Sequence, residues 1–167
     1  MQAGYLHMNK EAAQRIKKLQ LQKHPEGGYF KETYRSDLAV NIADYDGPRQ
    51  ISTGIYYMLV GDQFSAFHRI RSDETWHHYA GGSLTLYAIA EGKLSRVKMG
   101  KGRGEIPQFT IRANTWFAAS LNDRSYCLLG CTVSPGFDYR DWELGRRDEL
   151  VRMYPQHKKI IERYTIV

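Results

Sequence analysis

The sequence predicts an all-β fold, a barrel or two-sheet sandwich with short helices at both ends. Three observations carry this. Residues 29–134 hold nine short runs rich in aromatic and β-branched side chains. Clusters of Gly, Asn, Asp and Pro separate those runs. The stretches before and after them switch to helical spacing. A chain of 167 residues is expected to form one domain over 1–167, long enough to bury a core without staples.

In chain order, "NKEAAQRIKKLQ" is expected to be a helix. Ala12, Ile16 and Leu19 fall on one stripe, Asn9 is the candidate cap and Glu11 sits in the first turn. Pro25 and the Gly27–Gly28 pair break the chain. The strand runs are "YFKETYRS", "ISTGIYYMLV", "FSAFHRIR", "ETWHHYA", "SLTLYAIA", "KLSRVKM", "QFTIR", "TWFAAS" and "SYCLLGCTVS". "AEGK" between two alternating runs signals a hairpin. "RRDELVRMY" and "QHKKIIERY" are expected to form two short helices, with Pro155 in the first turn of the second. Tyr56, Tyr57, Trp116 and Phe117 are assigned to the core, and Trp142 to packing the C-terminal helices on the barrel.

Composition excludes several classes. At 42% hydrophobic and 25% charged, the chain has the make-up of a globular protein. No apolar run approaches the roughly 18 residues of a membrane span. The N-terminus lacks the apolar segment of a secretory signal, so a cytoplasmic location is expected. Cys127 and Cys131 fall on one strand run, roughly 13 Å apart at ~3.3 Å per residue. A disulfide needs less than about 7 Å, so both are expected to be reduced and buried. The net charge of +6 gathers in "QRIKKLQLQK" and "GKGRG". No stacking aromatics interleave with these basic residues, so nucleic acid is not the expected partner. A basic rim for a small anionic ligand fits them better.

The stretch "GDQFSAFHRIRSDETWHHYAGGSL" (61–84) concentrates three of the six histidines with an acidic pair. Ser65–Arg71 and Glu74–Ala80 are expected to be strands joined by a tight turn. His68 then shares a face with Ala66 and Ile70. Glu74, Trp76 and His78 share one face of the next strand, and His77 and Tyr79 share the other, unless a bulge after Glu74 inverts the pattern.

These residues resemble the first signature of the cupin superfamily. Gly61, His68, Glu74 and Gly81 stand at its glycine, first histidine, glutamate and last glycine, and Ile70 replaces its second histidine. In the second signature Arg112 replaces proline, Asn114 glycine and Phe117 the last histidine. "HPEGGYFKETYRS", "FHRIRSDETWHHYAG", "SPGFDYRDWELG" and "YPQHKKIIERY" resemble the cupin family labelled predicted sugar epimerases, itself similar to deoxysugar-nucleotide epimerases. The resemblance implies a cupin β-barrel (a double-stranded β-helix or jelly roll) and a homodimer. The expected ligand is a small polar or anionic metabolite, a sugar or a sugar nucleotide.

A typical cupin metal is held by three histidines and a glutamate. Only His68 and Glu74 remain of that set, so no cofactor is expected. His77 or His78 would complete a site only if strand parity placed one beside His68. Epimerisation next to a ketone needs a base, and histidine titrates near neutrality. His68 is the candidate base, and Glu74 would orient it or accept a sugar hydroxyl. His77 and Tyr79 are candidates for the acid, and Arg35 for an anion such as phosphate. Glu26, before the glycine pair, is a further ligand-binding candidate. Two other readings stand beside the epimerase or isomerase: a non-enzymatic small-ligand binder, and a metal-dependent oxygenase or isomerase.

Overall fold

Two antiparallel sheets face each other in the computed structural model, which describes residues 10–166. Helix α1 (Lys10–Leu19) leads into β1 (Gln22–Lys23), β2 (Tyr29–Arg35), β3 (Ala39–Val40), β4 (Arg49–Gln50), β5 (Thr53–Val60) and β6 (Phe64–Ile70). Then come β7 (Asp73–Gly81), β8 (Leu84–Ala90), β9 (Lys93–Met99), β10 (Gln108–Ile111), β11 (Trp116–Leu121), β12 (Tyr126–Ser134) and β13 (Trp142–Leu144). Helices α2 (Arg147–Met153) and α3 (Lys158–Arg163) close the chain. The first sheet runs β1-β2-β5-β12-β7-β10 and the second β13-β6-β11-β8-β9, with β3-β4 a separate ribbon. The expected all-β architecture with terminal helices is therefore found. The proposed cap Asn9 lies outside the described residues.

Strand alternation explains the three packed layers. Tyr57, Trp76, Leu86, Phe117 and Leu129 point between the sheets. Their strand neighbours Met58 and Leu128 pack outward under α1, with Ala12 and Leu21. On the second sheet Phe67, Trp116 and Ala118 pack outward against Leu150, Ile161 and Tyr164 of the C-terminal segment. Central strands covered on both faces read as nearly continuous apolar runs for this reason. Each large apolar side chain so buried contributes about 2–3 kcal/mol.

Tyr57, Trp116 and Phe117 are buried, as expected of core residues. "AEGK" turns between β8 and β9 with Glu91 and Gly92 at positive φ. Cys127 and Cys131 are free and buried on β12. Pro155 opens a short 3₁₀ turn, Pro155–His157, that runs into α3. Among the described residues no helix is long and apolar enough to cross a membrane.

Two expectations need correction. The strands around Ser72 do not form a hairpin. β6 belongs to the second sheet and β7 to the first, so the chain changes sheets at that corner. Periodicity within each run could not reveal this, because paired and cross-sheet neighbours are both joined by short turns. Trp142 does not pack the C-terminal helices either. It lies on the edge strand β13, opposite Ile70, and Trp116 holds the helices instead.

Candidate functional site

Residues of both sheets enclose a cavity of about 360 Å³. Both sheets supply its walls: Ile55, Glu74, Cys131 and Val133 from the first, His68 and Trp142 from the second. His68 and Glu74 thus reach one hollow from facing sheets. The change of sheet at Ser72 is what sets them across from each other.

Glu26 is the partner that His68 meets. Gly27 and Gly28 sit at φ +111° and +76°, and a Cβ on Gly27 would overlap the carbonyl of Phe64. Only glycine lets the chain lie this close to β6. The Glu26 carbonyl then accepts from the Ala66 amide at 2.8 Å, and its carboxyl accepts from Ser65 Oγ at 2.9 Å. Its other oxygen lies 3.2 Å from His68 Nε2 and 3.7 Å from His24 Nδ1.

Protonation states follow from geometry and burial. His68 Nδ1 lies 2.7 Å from the carbonyl oxygen of Ala66, which can only accept. The proton of a neutral ring is therefore on Nδ1, and Nε2 offers its lone pair towards Glu26 and the cavity. Burial drives the His68 pKa down to about 4, with the Ala66 hydrogen bond opposing. Burial also lowers His24, whose Nδ1 accepts from the Glu26 amide at 3.3 Å. Burial raises Glu26, opposed chiefly by His24. Glu74 is pushed up to about 8 by burial and then by the Glu26 charge, while the Cys131 thiol and Trp76 indole offset this in part. At neutral pH the cavity therefore holds two neutral imidazoles and a protonated Glu74.

Glu74 makes no ion pair with Arg69, Arg71 or Arg112. Arg69 binds Glu143, Arg112 binds Asp73, and Arg71 donates to the Asp44 carbonyl.

His77 and Tyr79 do not reach the cavity. The first residues of β7 alternate regularly, so Glu74, Trp76 and His78 point inward. His77 lies on the outer face within 3.2 Å of Thr132 Oγ1. A bulge does occur, but at Tyr79, between the Leu128–Ala80 and Leu129–His78 pairs, too late to turn His77 inward. Tyr79 is 46% exposed and lies over Gly130 against Tyr56.

Arg35 does line the cavity mouth. Yet its guanidinium is occupied. Nε and Nη2 donate to the Glu32 carboxylate at 2.9 and 2.7 Å, Nη1 donates to Gln50 at 3.0 Å, and both Nη atoms donate to the Phe137 carbonyl at 3.2 Å. All of its N–H donors are satisfied within the protein. The expected role as an anion anchor gives way to that of a clamp on the 137–139 rim. The basic rim is not found either: no lysine lines the cavity, and neither basic cluster of the sequence borders it.

The residues present do not fit the usual cupin metal cage. Ile70 has no lone pair, and Phe117 lies tilted against His68 with ring centroids 4.1 Å apart. Among the described residues no three His, Cys, Asp or Glu side chains converge to hold an ion.

His24, Glu32, Phe137, Tyr139 and Trp142 also line the cavity, and the sequence assigned none of them to it. The "HPEGGYFKETYRS" segment carried a usable signal for the first two. Phe30 and Glu32 alternate onto one face, in line with His24 and Glu26. The aromatic rim depends on the path of a loop, which no periodicity describes.

A double-stranded β-helix with a pocket walled by both of its sheets is the architecture of a cupin. The chain belongs to the cupin superfamily, since the family model described as Cupin superfamily (DUF985) matches residues 13–145. It is 31% identical over 163 residues to the uncharacterised protein YML079W of Saccharomyces cerevisiae, covering 87% of this chain and 81% of that one. Solved structures of protein SO0799 from Shewanella oneidensis and of a hypothetical protein from Leishmania major superpose with TM-scores of 0.86 and 0.87. They share 39% and 35% identity, over 93% of this chain and 97% and 99% of theirs.

Proposed function

We propose that this cupin binds a small polar metabolite in its cavity and moves a proton on it, as an epimerase or isomerase of a sugar-like carbonyl compound. The observation that carries the reading is the pairing, across one cavity, of a neutral imidazole whose Nε2 faces the Glu26 carboxyl and a second carboxyl, Glu74, that keeps its proton to about pH 8. A base and an acid of separated pKa on facing walls are what a proton transfer needs at neutral pH.

In the proposed step the C–H bond beside the substrate carbonyl breaks and an Nε2–H bond forms on His68. The electron pair moves to the carbonyl oxygen as an enolate. Glu74 returns a proton to the carbon from the opposite wall. His68 is left protonated and Glu74 ionised, and exchange with solvent resets both. The Glu26 carboxyl, 3.2 Å from Nε2, steadies the imidazolium.

The test is deuterium wash-in from D₂O beside the carbonyl of free keto sugars, followed by proton NMR. Exchange should occur and fall at least ~100-fold in His68→Ala and Glu74→Gln. A compound that binds in the cavity and never exchanges would make the protein a binder instead. The homodimer implied by the resemblance is proposed likewise; sedimentation as a monomer at all concentrations would remove it.

A further inference from the structure

We infer that the cavity selects a free hydroxy-carbonyl compound of about monosaccharide size and rejects phosphate-bearing forms of it. The inference names the substrate class of the proton-transfer site and rests on that reading.

Phosphate recognition needs a free guanidinium, an ammonium group or a cluster of open backbone amides. The lining contains one guanidinium, Arg35, and its donors are taken by Glu32, Gln50 and the Phe137 carbonyl. The other rim carboxylate, Asp138, is bound by Arg140 at 2.8 Å. All three rim charges are thus paired before any ligand arrives. A further route is to charge an imidazole. With His68 at about 4, protonating it at pH 7 would weaken anion binding about a thousandfold.

Hydroxyl and carbonyl oxygens meet a matched set instead. Protonated Glu74 offers a donor and acceptors, and His68 Nε2 offers an acceptor. The indole N–H of Trp142 is buried beside the Glu26 carboxyl, which it helps to stabilise, and makes no hydrogen bond of full geometry. Phe137, Tyr139 and Trp142 line the mouth in edge-to-face pairs, with centroids 5.0 and 6.0 Å apart, and give a sugar ring's C–H face an apolar wall. A volume near 360 Å³ lies at the small end of the ~300–1,000 Å³ range for ligand sites.

The experiment is a ³¹P NMR titration of inorganic phosphate into the wild type, Arg35→Gln and Glu32→Ala. The wild type should show no saturable binding. Glu32→Ala, which frees the Nε and Nη2 donors of Arg35, should show saturable binding at least ~10-fold tighter than the detection limit met by the wild type. Saturable wild-type binding that disappears in Arg35→Gln would overturn the inference, and so would a Glu32→Ala protein that still ignores phosphate. A calorimetric comparison of a free keto sugar with its phosphate ester completes the test. The free form should bind tighter, and equal or tighter binding of the ester counts against the proposal. None of these titrations reads deuterium exchange, so either proposal can fail alone.

Discussion

His68 is held by a backbone carbonyl on one nitrogen and faces a carboxyl with the other, so its tautomer is fixed before a ligand enters. Its folded pKa of about 4 and that of Glu74 at about 8 bracket neutrality. The exchange rate should therefore be bell-shaped in pH. It should fall below about 4, where Nε2 gains a proton, and above about 8, where Glu74 loses one. A pH–rate profile for Glu74→Asp should keep the acid limb and move the alkaline one. A wild-type profile that keeps rising past pH 8 would remove Glu74 as the proton donor. Glu26→Gln should slow exchange and leave Glu74's limb, shifted down once the neighbouring charge is gone. The importance of Glu26 was only half legible in the sequence. Its place before two glycines marked it, but its contact with His68 spans 42 positions and depends on Gly27 accepting a close backbone approach.

At the scale of elements, the 36–50 segment and the aromatic rim hang on one buried ion pair. Arg49 Nε and Nη2 donate to Asp141 at 2.5 and 2.9 Å, and Nη1 caps the carbonyls of Asp46, Gly47 and Pro48. Tyr45 donates to the Arg71 carbonyl, and Arg140 donates to that of Asp46. Asp141→Ala leaves a guanidinium buried and unpaired, so urea unfolding should show a loss of ~3–5 kcal/mol. Thermolysin should then cut within residues 36–48 first. A loss under ~1 kcal/mol would show that the segment is held by other contacts. Nothing in the sequence distinguished Arg49 from a surface arginine. Strand identity, by contrast, was readable from aromatic and β-branched runs, because both faces of the central strands meet apolar layers. Sheet membership was not: β6 and β7 looked like a hairpin, and the site exists because they are not one.

Across the whole molecule, the groups that make the cavity reactive also set how stability varies with pH. Glu74 keeps its proton in the fold to about pH 8, whereas an ordinary glutamate releases it near 4.5. Between those values the folded state binds more protons than the unfolded one, so stability falls as pH rises. Glu26, also raised by burial, acts in the same sense. His68 resists protonation down to about 4, whereas an ordinary imidazole accepts a proton near 6.5. Over that interval the unfolded state binds more protons, so stability falls as pH drops, and His24 adds to this. The melting temperature should accordingly peak at mildly acidic pH, between about 4.5 and 6.5, and decline towards 8. Glu74→Gln keeps the shape of the side chain and cannot ionise. Relative to the wild type it should therefore gain roughly 4 kcal/mol between pH 4.5 and 8, seen as a flatter alkaline limb in urea unfolding. A wild-type melting temperature that climbs steadily from pH 5 to 8 would mean that Glu74 ionises freely in the fold, and the acid on that wall of the cavity would be lost with it.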